Sequence, residues 1–265
     1  MTRILAIVNQ KGGVGKTTTA VNIAAGLASA DKKVLLVDLD PQGNATMGSG
    51  IDKRTIGQSI YHVVLGLATV ERSRVHSEAG GYDVLPSNRE LAGAEIELVD
   101  LEHRETRLKL ALTHVAWLYD YILLDCPPSL NLLTVNALVA ADAVIIPMQC
   151  EYYALEGLSD LVNTIRKVRQ NLNPSLEIEG LLRTMFDPRN TLAQQVSDQL
   201  REHFGEKVYQ TVIPRNVRLA EAPSYGVPGI KFDSVAKGAQ AYTTLVQELL
   251  ARATAAAPTV PTETP

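Results

Sequence analysis

Two lysines stand in one glycine-rich loop, Gln10-Lys11-Gly12-Gly13-Val14-Gly15-Lys16-Thr17-Thr18. Glycines let backbone N–H groups turn inward on a phosphate, and a helix starting at Lys16 adds its positive end. In such a loop Lys16 reaches the β- and γ-phosphates and the Thr17 hydroxyl binds Mg²⁺. The strict pattern G-x-x-x-x-G-K-[ST] fails at its first position, which is Gln10. One lysine suffices for a phosphate loop, so Lys11 needs a second role. Two acids follow. Asp40, in Val37-Asp38-Leu39-Asp40-Pro41-Gln42-Gly43-Asn44, could hold an attacking water or a water of Mg²⁺, or it could be an ordinary Asp-Pro turn. Asp125, in Ile122-Leu123-Leu124-Asp125-Cys126-Pro127-Pro128, closes an apolar run, as metal coordination at a phosphate site requires.

Positioning these groups takes strands and helices in alternation. Unbroken apolar runs at 4–9, 34–37, 82–85, 121–124, 143–148, 178–185 and 208–213 read as strands covered on both faces. The stretches 17–30, 89–117, 153–172 and 191–204 have helical length and spacing. The alternation predicts an α/β fold, a mostly parallel twisted sheet with helices on both faces and right-handed crossovers. Ligands of such sheets bind at the carboxyl ends of strands, where the loop, Asp38/Asp40 and Asp125 all fall.

The whole chain narrows the classes. Its 265 residues, 46% of them hydrophobic, suit one large domain over 1–252. The net charge of −4 excludes a bulk polycation, so any nucleic-acid binding must use a local patch. Two cysteines, Cys126 and Cys150, without metal spacing, fit a reduced cytoplasmic protein. The N-terminal apolar run is too short for a signal peptide, and no stretch approaches the roughly 20 apolar residues of a membrane span. Residues 253–265, rich in Ala, Thr and Pro, read as a disordered tail.

With these motifs in place, the chain resembles the ParA/MinD family of deviant Walker A P-loop ATPases. The resemblance rests on Lys11-Gly12-Gly13-Val14-Gly15-Lys16-Thr17-Thr18, on residues 38–44, and on Asp125-Cys126-Pro127-Pro128. Ile213-Pro214-Arg215-Asn216-Val217-Arg218 and Glu221-Ala222-Pro223-Ser224 are similar to the chromosomal ParA (Soj) branch. It spans residues 3 to 250 or so. It implies ATP and Mg²⁺ as cofactors, with Lys11 reaching the partner's phosphates across an ATP-sandwiched dimer. By the same resemblance Lys16 and Thr17 are the in-cis ligands, Asp40 aligns the hydrolytic water, and Asp125 is the Walker B acid, acting on Mg²⁺ through water. Pro214 and Asn216 would line the adenine, and Arg189 and Arg218 would bind DNA without sequence specificity. One segment departs from the family: Leu182-Arg183-Thr184-Met185 lacks the asparagine that related ATPases often place near the base.

The resemblance also implies partners: non-specific double-stranded nucleoid DNA, a ParB-type centromere-binding protein, and a second copy, as a homodimer with ATP and a monomer otherwise. Residues 251–258 lack bulky apolar anchors, so a membrane partner of the MinD kind is not expected. An iron–sulfur cluster shared across a dimer is not expected either, since two lone thiols make a generic buried pattern. Further cations, Arg215, Lys231 and Lys237, and Arg166, Lys167 and Arg169, could extend a DNA patch or be solvated surface charge. The first strand begins at Arg3, so a separate operator-reading domain is not expected. The expected function is ATP-dependent chromosome or plasmid partitioning with slow hydrolysis; the alternative is a positioning ATPase using a membrane or protein surface.

Overall fold

The computed structural model describes residues 2–255. Eight strands form one sheet: β1 (Arg3–Ile7), β2 (Val34–Asp38), β3 (Val75–Ser77), β4 (Tyr82–Leu85), β5 (Tyr121–Asp125), β6 (Ala143–Met148), β7 (Glu177–Thr184) and β8 (Val208–Ile213). Their order is β3-β4-β2-β5-β1-β6-β7-β8. Every pairing is parallel except that of β3 with β4 at one edge.

The helices are α1 (Lys16–Ser29), α2 (Asn44–Gly48), α3 (Ile60–Val64), α4 (Val70–Ser73), α5 (Leu91–Glu97), α6 (Arg107–Thr113), α7 (Leu132–Ala140), α8 (Ala154–Asn171), α9 (Thr191–Phe204), α10 (Val217–Glu221), α11 (Gly229–Phe232) and α12 (Lys237–Ala255). They cover both faces. Successive strand side chains point to opposite faces, so each central strand feeds two cores. Leu5, Ile7, Leu36 and Leu123 pack under α1 and α12 with Ile23, Leu27, Leu245 and Leu249. Ala6, Leu35, Ile122 and Leu124 pack on the other side with Leu112, Leu133, Leu161 and Leu200. This explains the absence of polar alternation: β2, β5 and β6 are buried at every position.

Four details differ from the sequence expectation. Residues 89–117 are not one helix; α5 and α6 are separated by an irregular segment with His103 at φ 56°. The cause is a distant side chain. Buried Asn136 on α7 accepts from Leu108 N at 3.1 Å and donates to Arg104 O at 2.7 Å, replacing the helical bonds that a continuous helix would need. The short edge strand β3 had no apolar run to announce it. Helix α12, unassigned from sequence, buries Tyr242, Leu245 and Leu249 against α1 and β8. It runs to Ala255, so residues 253–255 of the expected tail are helical, and the rest of that tail lies outside the described residues.

Candidate functional site

Register brings the chemistry together. Asp125, the last residue of β5, stands level with Ile7 at the end of β1 and with Asp38 at the end of β2. The glycine loop leaves β1 at that level and turns into α1. Gly13 and Gly15 sit at φ 76° and 87°, a left-handed backbone that strains any L side chain. No heavy atom lies within 4 Å of where a Cβ on Gly12 or Gly13 would stand, so this part of the loop is uncrowded. Gly15 precedes α1 without any side-chain cap, and no acid occupies the first turn. The first amides of α1 are therefore free to receive an anion.

The two lysines occupy different environments. Lys16 is buried, 7% exposed, and its ammonium donates to Lys11 O at 3.1 Å, closing the loop on itself. Burial lowers its pKa, opposed by Asp125, Cys126 and Asp40. Lys11 points outward. Its side chain is half exposed and pairs with Glu151, beyond the end of β6.

The acids also divide. Asp38 is wholly buried; Oδ2 accepts from Thr46 N at 2.8 Å and Thr46 Oγ1 at 2.7 Å, while Oδ1 accepts from Asp40 N at 3.1 Å. Burial nevertheless pushes its pKa up to about 6. It holds the turn that carries Asp40, whose Oδ1 accepts from Gln42 N at 2.9 Å. Ser87 Oγ and Gly43 N both donate to Asp40 O, at 2.8 and 2.9 Å. Asp40 is thus a turn residue by geometry and also a charge felt at Lys16 and Asp125. Asp125 is fully buried, and neither carboxylate oxygen has a hydrogen-bond partner among the described residues. Burial and then Asp38 push its pKa well above the usual carboxylate range, opposed by the Thr17 hydroxyl and Lys16.

An orphaned buried carboxylate beside a threonine hydroxyl and an open cradle of amides fits a polyphosphate carrying a hard cation. Among the described residues no group of three or more His, Cys, Asp or Glu could hold a metal ion alone. A cation here would take Thr17 as ligand, Asp125 directly or through water, and phosphate oxygens for the rest. Both cysteines are buried and free.

Beside the loop lies a cavity of about 280 Å³, lined by Gly15, Thr18, Thr184, Met185, Pro214 and Asn216. Pro214 and Asn216 thus share one cavity with the loop residues Gly15 and Thr18. Asn216 is also the N-cap of α10, its Oδ1 accepting from Leu219 N at 3.2 Å, so its amide NH₂ is the part left for a ligand. The segment without the family's asparagine supplies two walls. Thr184 Oγ1 donates to Val14 O at 2.8 Å, and Met185 is held at φ 49°, a strained conformation of the kind found at ligand clamps. The resemblance puts this strand end near the base but gives neither Thr184 nor Met185 a role. A second cavity, about 410 Å³, lies between Thr17, Asn44, Met47 and Pro223, which brings the 221–224 segment against the loop.

Arg189 and Arg218 follow the carboxyl ends of adjacent strands β7 and β8, on the same side of the sheet as the loop. Neither is idle. Arg189 grips Asp187 through two bonds of 3.0 and 2.8 Å, and Arg218 pairs with Glu221 at 3.0 Å and Asp233 at 3.3 Å. Arg215, Lys231 and Lys237 are exposed nearby in sequence, and Arg166, Lys167 and Arg169 are exposed in the last turns of α8.

Comparison with known proteins gives a consistent picture. A family model described as an AAA domain matches residues 2–178. The sporulation initiation inhibitor protein Soj of Bacillus subtilis is 55% identical over 251 residues, covering 95% of this chain and 99% of that protein. The chromosome partitioning protein ParA of Caulobacter vibrioides is 52% identical, covering 94% of each. Among solved structures, a Mycobacterium smegmatis protein described as cobyrinic acid a,c-diamide synthase, with bound ADP and magnesium, superposes with a TM-score of 0.85. It shows 39% identity over the full length of both chains.

Proposed function

Because the chain belongs to the Soj/ParA family of chromosome-partitioning P-loop ATPases, we propose that it is an ATP-driven DNA-partitioning switch. It binds ATP with Mg²⁺ in the loop and base cavity. ATP brings two copies face to face; the dimer holds nucleoid DNA without sequence preference; hydrolysis, stimulated by a ParB-type partner, releases it. The observation that carries this reading is the division between the lysines: Lys16 is buried in its own loop, whereas Lys11 is half exposed and paired with Glu151. A lysine outside its own site is available to a partner's phosphates.

The residues divide the work. Loop amides and Lys16 would hold the phosphates; Thr17 and Asp125 would hold Mg²⁺, whose contribution when bound would be to offset negative charge on the phosphate oxygens. Asp40 orients the attacking water, and Lys11 closes the neighbouring subunit's site. Among the described residues the other acids near the loop, Asp38 and Glu151, are engaged by Thr46 and Lys11, consistent with slow turnover. A membrane-bound alternative is disfavoured because α12 spends its apolar face on α1 and β8, and no described helix is long and apolar enough to cross a membrane.

Co-sedimentation with DNA under ATP, ADP and no nucleotide tests the reading, with liposomes as a parallel arm. Retention on DNA with ATP alone supports partitioning; liposome binding instead selects the surface-positioning alternative. Lys11→Ala is expected to keep ATP binding and lose dimer, hydrolysis and DNA retention together; a dimeric Lys11→Ala protein would remove its role in trans. Arg218→Glu should weaken DNA retention by about tenfold or more while dimerisation persists, because charge reversal replaces a phosphate contact by repulsion in both subunits. Retention indifferent to this change at moderate salt would take Arg218 out of the DNA surface.

A further inference from the structure

The end of β6 and the connection that follows it reach back to the start of the phosphate loop and the residue before it at three points. Asn9 Nδ2 donates to Pro147 O at 2.8 Å, while Asn9 Oδ1 accepts from Lys11 N at 2.9 Å. Gln149 Nε2 donates to Gly13 O at 3.2 Å. Glu151 takes the Lys11 ammonium itself. The segment then continues into two exposed aromatics, Tyr152 and Tyr153, and into α8. Lys11 is thus held at its side-chain tip by Glu151 and at its backbone N–H by Asn9, whose own amide is anchored on Pro147.

We propose that Glu151 is a positioning residue that holds Lys11 in cis in the nucleotide-free monomer and thereby sets the ATP level at which two copies close. This rests on the reading of Lys11 as the lysine that acts in trans. An ammonium paired with Glu151 in its own chain cannot at the same time reach a partner's phosphates, so dimer closure must exchange one anion for the other. In a symmetric dimer the exchange happens twice. An exposed ion pair is worth a factor of roughly 1.5–5 in an equilibrium, so breaking two raises the threshold by about fivefold. The segment that carries Glu151 also carries Tyr152 and Tyr153, so a protein surface pressed on that turn would act directly on the tether.

The test is an analytical-ultracentrifugation titration of wild type and Glu151→Gln with a non-hydrolysable ATP analogue and Mg²⁺. The variant is expected to dimerise at about fivefold lower analogue concentration, and the gap should shrink as salt rises and screens the wild-type pair. Binding of a fluorescent ATP analogue to dilute monomer should differ by less than about twofold between the two, since Lys16 and the loop amides are untouched. In nucleotide-free protein, amine acylation read by mass spectrometry should label Lys11 faster in Glu151→Gln, with the other exposed lysines unchanged. An unmoved or raised dimerisation midpoint in a wild type that does dimerise overturns this proposal alone. A wild type that stays monomeric with the analogue overturns the partitioning reading and this proposal with it.

Discussion

Lys16→Ala is expected to lower ATP affinity by at least about 100-fold while the chain stays folded. The ammonium is the one buried cation of the loop, and charge-assisted bonds to phosphate in a desolvated site are among the strong ones, so loss of about 3 kcal/mol is the expected scale. The fold should tolerate the change. Burial already lowers the pKa of Lys16, so desolvation works against it before ligand arrives, and its one hydrogen bond goes to the carbonyl of Lys11. Isothermal titration with ATP and Mg²⁺, beside a thermal melt without nucleotide, separates the two effects. Tight ATP binding by the variant would contradict the phosphate-loop assignment. A variant that fails to melt cooperatively would show that Lys16 is needed by the fold as well.

Asp40→Ala is expected to slow hydrolysis by about 10² to 10⁴, the range lost when a group that positions or activates water is removed. ATP binding should survive, because Lys16, Thr17 and the loop amides are untouched. The turn should also survive: Asp38 still takes the amide of residue 40, and Ser87 Oγ and Gly43 N still donate to its carbonyl. The dimer would then accumulate on DNA, and its dissociation half-life, followed by fluorescence after dilution, would lengthen in step with the loss of phosphate release. Normal hydrolysis in the variant would leave Asp40 as the turn residue that its bond to Gln42 N already makes it.

The legible parts of this protein are those whose cause lies within a few residues. Continuous apolar runs announced β2, β5 and β6 because a strand buried on both faces has no room for polar alternation. The glycines announced a loop whose N–H groups turn inward, and Gly13 and Gly15 take a left-handed backbone that few other residues accept. Helix α12 carries alanines and threonines between its core residues, so its apolar stripe has little contrast, and its existence depends on the groove that α1 and β8 offer. The break between α5 and α6 is the work of Asn136, nearly thirty residues away from Leu108.

By itself, the order of residues determined which groups share the glycine loop, since Lys16, Thr17 and the loop glycines are covalent neighbours that one turn-and-helix geometry must place together. It also determined that Asp40 and Asp125 would follow strands. Only the tertiary structure decided how those groups differ. Parallel register set Asp38 beside Asp125 and buried both, which made one a hydrogen-bonded holder of a turn and left the other without a partner. Sheet order carried the ends of β6 and β7 to the loop and so delivered Gln149, Glu151, Thr184 and Met185, residues whose types alone mark no site. Lys11 and Lys16 are the same side chain five positions apart. Burial made one a fixed part of its own loop, while the other stands half exposed on Glu151, because the free energy of a charge depends on what surrounds it and not on the residue that bears it.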